Sequence, residues 1–202
     1  MTRIRSQVFA VLTSGTALLL SAGIANAQEK PPVKIGFVTE LTGAWSFFGT
    51  SCVAGLKFAE KQLNPPGKRR IEFVISDNQT NPAQAVAASR SLDVQDKVLA
   101  LSGPTSSDIA LAVYDYAEQN KVPFVAPVAA FPQLTKPGSH YTFRLEPDAV
   151  GWGYAIAKFV EKQKPGGKIA MIYSDYALMR AITAGLKFQA PLSGLKIVAD
   201  VA

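Results

Sequence analysis

Residues 98–127, VLALSGPTSSDIALAVYDYAEQNKVPFVAP, decide the fold of this chain. A short apolar run breaks at Gly103-Pro104, and three hydroxyl residues then precede an amphipathic segment at 108–120. A second apolar run follows at 123–128. Apolar runs on either side of a helical pattern are typical of a βαβ unit, in which the strands are parallel and the crossover is right-handed. We therefore predict a strand, a turn, a helix and a second strand.

The turn between the first strand and the helix is a candidate binding site. In an open parallel sheet, ligands bind outside the carboxyl ends of the strands. A helix N-terminus also offers unpaired N–H groups and a partial positive charge to an anion. Thr105, Ser106 and Ser107 stand at this point of the sequence, directly before the predicted helix. We therefore take this turn as the candidate binding site.

The same alternation of apolar runs and amphipathic segments continues along the chain. Strands are predicted at 33–39, 71–76, 98–102, 124–128, 141–145, 169–173 and 197–201. Helices are predicted at 46–63, 82–95, 108–120, 149–163 and 176–190. Asn81-Pro82 is a typical helix start, whereas residues 128–141 contain two prolines and a glycine and lack helical periodicity. This order indicates an α/β fold with parallel sheets.

The first 27 residues are predicted to be a secretory signal peptide. Arg3 and Arg5 precede an apolar stretch at 8–24, and the sequence at 25–27, Ala-Asn-Ala, matches a cleavage site of the A-x-A type. A membrane anchor is the less favoured alternative, because the apolar stretch is shorter than the roughly 20 residues that a membrane span needs. We therefore expect the mature chain to be exported.

The composition argues against several classes of function. One cysteine cannot form a disulfide within the chain, and a single histidine without a second soft ligand nearby does not indicate a zinc or copper site. The basic run at 68–70 follows a Pro-Pro-Gly turn and lacks the aromatic residues expected of a nucleic-acid surface. No nucleophile elbow and no phosphate loop occur in the sequence. We predict no enzyme activity, no metal, no cofactor and no nucleic-acid partner.

Five motifs resemble the periplasmic leucine/isoleucine/valine-binding protein family, the type I solute-binding proteins of ABC importers. They are KIGFVTELTGAWSFFG at 34–49, DNQTNPAQAV at 77–86, GPTSSDIALAV at 103–113, VPFVAP at 122–127 and YSDYA at 173–177. The resemblance implies the type I periplasmic-binding-protein fold, in which two Rossmann-like lobes with parallel sheets close on a small molecule. It also implies that members are about twice as long as this chain.

The resemblance implies a domain organisation for the chain. After the signal peptide at 1–27, residues 28–143 form most of lobe I, and residues 144–202 form the start of lobe II. With half of the cleft outside this sequence, we expect the mature chain to bind its ligand weakly and to expose apolar sheet surface.

The resemblance also implies ligand-binding roles. In the family, serines at the matching turn bind the ligand carboxylate, so Ser106 and Ser107 inherit this role, with helix capping as the alternative. Phe48 packs against the ligand in relatives, and a core contact is the alternative for this side chain. Tyr176 is expected to contact the ligand from the lobe II side, or else to be an exposed tyrosine at a helix start.

One position departs from the pattern of amino-acid-binding relatives. Ala130 stands where those relatives have a hydroxyl residue that helps to hold the ligand, which leaves the backbone N–H groups of Ala129 and Ala130 as donors. This departure weakens the case for an amino acid and favours an aromatic acid, which would also suit Phe48 and Phe131.

The predicted function is that of a monomeric periplasmic solute-binding protein. It captures a small carboxylate-bearing ligand, either a branched-chain or other amino acid or an aromatic acid, for an ABC permease in the inner membrane. The alternatives are a ligand-sensing module that signals to a membrane receptor and a truncated copy without function.

Overall fold

The computed structural model describes residues 30–202, so the predicted signal peptide lies outside the described residues. The strands of this part are β1 (Val33–Thr39), β2 (Ile71–Asp77), β3 (Ala100–Ser102), β4 (Phe124–Ala126), β5 (Thr142–Arg144), β6 (Lys168–Ile172) and β7 (Lys196–Val201). The helices are α1 (Ser46–Leu63), α2 (Pro82–Val94), α3 (Ser107–Asn120), α4 (Ala149–Gln163) and α5 (Ala177–Leu192), with a 3₁₀ helix at Pro132–Thr135. The predicted α/β alternation is confirmed.

The strands form two parallel sheets. The first has the order β2-β1-β3-β4-β5, and the second pairs β6 with β7. The predicted parallel pairing of β3 with β4 is confirmed, with Leu101 opposite Phe124. The chain moves outward from β1 to β2 and then returns to the other side of β1, so strand order reverses between β1 and β3. Such a switch point leaves a crevice at the carboxyl ends of the two strands.

The main core lies between the first sheet and the helices α2 and α3. The side chains of Leu101 and Phe124 are fully buried, as are Ile109 and Val113 on α3. Strands covered by helices read as short, nearly continuous apolar runs, which is why β3 and β4 can be recognised in the sequence. A second core cluster, formed around Met171 and Leu186, packs α4 and α5 against β6 and β7.

Some predicted boundaries move when the hydrogen bonds are known. The strand predicted at 124–128 ends at Ala126, before Pro127, which has no N–H to donate to a neighbouring strand. The segment predicted to be irregular contains the 3₁₀ helix. The predicted start of α2 is confirmed, since the side chain of Asn81 accepts hydrogen bonds from Ala83 N at 2.8 Å and Gln84 N at 3.2 Å.

Apolar side chains are exposed on β5, β6 and β7. Ile172 is 84% exposed, and Phe143, Val198 and Val201 are more than half exposed. The predicted exposure of apolar sheet surface is therefore confirmed. The first sheet ends at Arg144, beside the predicted boundary between the lobes, but the division into lobe I and lobe II stays a prediction. Among residues 30–202, no helix combines the length and apolar character that a membrane span requires.

Glu118 fastens the segment before β5 to α3. Its carboxylate accepts hydrogen bonds from His140 N at 2.9 Å, Tyr141 N at 3.0 Å and Thr142 Oγ1 at 2.9 Å. Burial alone would raise the pKa of Glu118, but these bonds favour the charged carboxylate and hold the pKa below its ordinary value of 4.5. The ionised form of Glu118 therefore makes these hydrogen bonds to the segment before β5.

We expect Glu118 to contribute to acid sensitivity. Because its pKa is lower in the folded chain, its contribution to the free energy of unfolding is present above pH 4.5 and is lost as the pH falls through the lowered pKa. Urea unfolding between pH 7 and pH 3 should show a shallower loss of stability for Glu118→Gln than for the wild type. Glu146→Gln, a carboxylate without a hydrogen bond within residues 30–202, should keep the wild-type slope; equal slopes for all three chains would contradict the prediction.

Candidate functional site

Three loops meet at the carboxyl edge of the first sheet. They follow β1, β3 and β4, which are neighbours in the sheet, so residues 40–45, 103–106 and 127–131 lie side by side. The first two loops flank the switch point between β1 and β3. The connections that follow these two strands run to opposite sides, which leaves a crevice between the loops. The sheet thus brings the predicted serine turn beside the loop that contains Ala129 and Ala130.

A buried carboxylate occupies part of the serine turn. Glu40, at the end of β1, is fully buried. Its carboxylate accepts hydrogen bonds from Thr105 N at 3.1 Å, Thr105 Oγ1 at 2.9 Å and Ser106 N at 3.2 Å. The expectation that the helix N-terminus offers unpaired N–H groups is therefore wrong for Thr105 and Ser106, because both N–H groups already donate to the carboxyl group of Glu40. Glu40 was not predicted as a site residue, although its position directly after a buried strand is a signal that could have indicated it.

The hydroxyls of Ser106 and Ser107 remain without partners. The two residues are only 7% and 3% exposed, and neither hydroxyl makes a hydrogen bond within the described residues. The helix begins at Ser107, one residue earlier than predicted, and Ser106 is its N-cap without a side-chain capping bond. Capping by Ser107, the alternative to ligand binding, is therefore not observed. The turn presents two hydroxyls that can donate to an anion without breaking an existing bond.

Ala129 and Ala130 are buried in the loop after β4. Their side chains pack into two different clusters, Ala129 in the main core and Ala130 against Ala149 and Ala181. The carbonyl of Ala130 accepts a hydrogen bond from Ala149 N at 3.0 Å. Within residues 30–202, neither backbone N–H group has a hydrogen-bond partner. These N–H groups are therefore two further donors beside the serine turn.

Four aromatic residues at the starts of α1 and α5 contact one another and are called the aromatic wall. This aromatic wall consists of Trp45, Phe47, Phe48 and Tyr176. The ring centroid of Trp45 lies 5.3 Å from that of Phe48 and 5.6 Å from that of Tyr176, the latter with an edge-to-face arrangement. Phe48 is 51% exposed and also contacts Phe47, with centroids 5.6 Å apart. Phe48 is thus not a core residue, and the half-buried Tyr176 is not a free surface tyrosine.

The starts of α3 and α5 are joined by Asp108. Its carboxylate accepts a hydrogen bond from Ala177 N at 3.1 Å, and its second oxygen lies 3.5 Å from Arg180 Nη2. Arg180 also donates to Asp175 Oδ1 at 2.7 Å. These contacts hold the serine turn close to Tyr176, which immediately precedes α5. Asp108 and Arg180 were not predicted as site residues, because the groups that these contacts join are about 70 positions apart in the chain.

The arrangement suits recognition rather than reaction chemistry. Hydroxyl and N–H donors beside an aromatic surface can bind an anionic group that carries an apolar body. In the part of the chain that the structure describes, no group of His, Cys, Asp and Glu residues could hold a metal ion. Hydrogen-bond donors and ring surface are the groups that these loops present.

The profile of the periplasmic binding protein family matches residues 32–202. A Leu/Ile/Val-binding protein homolog of Brucella melitensis is 27% identical over 179 residues, which cover 87% of this chain and 48% of that protein. The Leu/Ile/Val-binding protein of Escherichia coli K12 is 26% identical over 184 residues, with 87% and 49% covered. The chain thus spans about half the length of the curated relatives it matches.

Solved structures agree with this assignment. An ABC transporter solute-binding protein of Rhodopseudomonas palustris in complex with 3,4-dihydroxybenzoic acid has a TM-score of 0.77 and 25% identity, with 85% of this chain and 47% of that chain covered. A branched-chain amino acid transporter substrate-binding protein of Streptococcus pneumoniae in complex with isoleucine has a TM-score of 0.73 and 28% identity, with 85% and 50% covered.

These similarities confirm the predicted type I periplasmic-binding-protein fold. The named relatives are solute-binding proteins and not enzymes, which agrees with the prediction that this chain has no catalytic activity. The chain belongs to the periplasmic binding protein family.

Proposed function

We propose that the chain binds a small carboxylate-bearing molecule at the turn formed by Ser106 and Ser107. The observation that carries this proposal is the pair of largely enclosed serines at the switch point of the sheet, whose hydroxyls reach solvent and have no hydrogen-bond partner among the described residues. A hydroxyl that reaches solvent and has no protein partner can exchange a water for a ligand oxygen without breaking a hydrogen bond within the protein. A ligand carboxylate can accept from both hydroxyls, and from the N–H groups of Ala129 and Ala130 in the adjacent loop.

We favour an aromatic acid over an amino acid as the ligand. The aromatic wall offers ring faces and edges to a planar ligand, and such ring pairs contribute about 0.5–1.5 kcal/mol beyond burial of their area. An amino acid also carries an ammonium group, which needs an anionic partner. Among the described residues near the turn, the acids Glu40, Asp108 and Asp175 already accept hydrogen bonds from protein groups. The relative in complex with 3,4-dihydroxybenzoic acid supports this ligand class, whereas the relative in complex with isoleucine supports the amino-acid alternative.

The proposed cellular role follows from the family and from the start of the sequence. The chain is exported by its signal peptide at 1–27, captures the acid in the periplasm as a monomer and delivers it to an ABC permease in the inner membrane. Lobe I, at 28–143, supplies the serine turn, the loop with Ala129 and Ala130, and most of the aromatic wall. Tyr176 contacts the ligand from the lobe II side.

A ligand panel tests this function. Ligand-observed NMR detects weak binding, and the panel consists of 4-hydroxybenzoate, 4-hydroxybenzyl alcohol, isovalerate and leucine. We expect 4-hydroxybenzoate to bind most tightly, and the alcohol, which keeps the ring but lacks the carboxylate, to bind at least 10-fold more weakly. Leucine as the tightest ligand would replace the aromatic class with an amino acid. Equal binding of the acid and the alcohol would contradict the carboxylate site.

A further inference from the structure

We propose that Thr80 is a positioning residue for the ligand site, which fixes Trp45 and thereby the preference for aromatic ligands. This inference rests on the proposed function as far as the ligand is concerned. Thr80 belongs to the loop after β2 and lies outside the serine turn. It acts through the backbone of the neighbouring loop after β1.

Thr80 has a strained backbone conformation. Its φ is +55°, and the preceding residue, Gln79, has a φ of +54°. The left-handed region is uncommon for residues other than glycine, and a β-branched side chain makes it a genuine outlier. Such a conformation is energetically unfavourable and persists where the surroundings enforce it. The contacts that hold Thr80 are therefore informative about what this loop does.

The hydroxyl of Thr80 organises the loop that carries Trp45. Its Oγ1 donates to the carbonyl of Thr42 at 2.9 Å and accepts a hydrogen bond from Trp45 N at 3.4 Å. Gly43, with a φ of +88°, lies so close that a Cβ there would be 2.5 Å from Thr80 Oγ1. The N–H of Thr80 is in turn held by Asn78 Oδ1 at 2.9 Å. The carboxylate of Asp77 holds the start of this loop, since it accepts hydrogen bonds from Leu41 N at 2.9 Å and Thr42 Oγ1 at 2.6 Å, and the hydroxyl of Thr80 holds the part of the loop that leads to Trp45.

The position of Trp45 decides the shape of the aromatic wall. Its ring contacts both Phe48 in α1 and Tyr176 before α5, so it connects the loops of the first sheet to the second. A shift of Trp45 would break its ring contacts with Phe48 and Tyr176 and would remove the surface for a planar ligand. The hydroxyls of Ser106 and Ser107 would be unaffected by such a shift. A substitution of Thr80 should therefore change the affinity for aromatic relative to aliphatic acids and leave the binding of the carboxylate unchanged.

The first test needs no ligand. The chain has two tryptophans, so Trp152→Phe leaves Trp45 as the single fluorophore. In this background, we expect Thr80→Ala to raise acrylamide quenching of Trp45 about two-fold and to shorten its anisotropy decay. Thr80→Ser, which keeps the hydroxyl, should match the parent. Thr80→Gly removes the backbone strain as well as the hydroxyl. Its acrylamide quenching should equal that of Thr80→Ala, although relief of the strain raises the urea concentration at which it unfolds. Identical quenching for Thr80→Ala and the parent would overturn the positioning role.

The second test measures ligand choice. Thr80→Ala should weaken 4-hydroxybenzoate about five- to ten-fold and leave isovalerate, an aliphatic acid, within two-fold. Thr80→Ser should restore the preference, whereas Ser106→Ala should weaken both acids alike. Equal weakening of both acids by Thr80→Ala would overturn the selectivity claim. If neither acid binds the wild-type chain, the proposed function and the selectivity claim both fail, while the quenching experiment still decides whether Thr80 positions Trp45.

Discussion

Replacement of both Ser106 and Ser107 by alanine is expected to weaken the binding of 4-hydroxybenzoate roughly 100-fold or more. Hydrogen bonds to charged groups contribute about 1.5–3 kcal/mol each, and each hydroxyl is expected to donate one to the carboxylate. The same change should leave the free energy of unfolding nearly unaltered, because neither hydroxyl bonds to another described residue. Calorimetric or NMR titration measures the first effect, and urea unfolding measures the second.

A second pair of serines provides the matched control. Ser89 and Ser91 lie on α2, and their hydroxyls donate to Ala85 O at 2.8 Å and to Gln95 Oε1 at 3.0 Å. Ser89→Ala/Ser91→Ala should keep the wild-type affinity. An affinity that is unchanged in the Ser106/Ser107 variant, or that falls equally in both variants, would remove the serine turn from the binding site.

Gly103→Ala is expected to be the most destabilising single change considered for the site. Gly103 follows β3 with a φ of +85°, and a Cβ there would lie 2.0 Å from the carbonyl oxygen of Val38. The left-handed conformation alone costs alanine about 1–2 kcal/mol, and the backbone contact forces β1 and the serine turn apart. We expect the free energy of unfolding to fall by about 4 kcal/mol, as for other strained backbone positions.

Gly67→Ala separates the two causes of this loss. Gly67 has a similar φ of +79°, but a methyl group added there would have no other atom within 4 Å. We expect a loss of about 1–2 kcal/mol for this variant, from the conformation alone. Urea unfolding of both variants gives the difference, which reports the contact with Val38. Equal losses would show that the turn does not pack tightly against β1.

The secondary structure could be predicted because its signals are local. The apolar runs at β1, β3 and β4 are separated by helical patterns, and Asn81-Pro82 carries its own capping signal. The ends of elements were less predictable, because they depend on hydrogen bonds to distant segments. The start of α3 at Ser107 is one example, since the hydroxyl residues before it could equally well have been capping groups.

The site was predicted only in part, because its missing members act through long-range contacts. Glu40 binds Thr105 across 65 positions of sequence, and its place directly after a strand does not reveal which residues its carboxyl group contacts. Buried acids are rare, so the prior from composition points to a surface residue. Trp45 was overlooked for a similar reason, since its contacts with Thr80 and Tyr176 exist only in the folded chain.

The most direct test of the account is a titration of the ¹⁵N-labelled chain with 4-hydroxybenzoate, followed by two-dimensional NMR. We predict that the largest shifts occur at the amides of Ser106, Ser107, Ala129 and Ala130 and at the indole N–H of Trp45, with saturation at one common dissociation constant. Shifts confined to another surface, or no shifts at any concentration at which the acid is soluble, would contradict the claim that the serine turn binds a carboxylate.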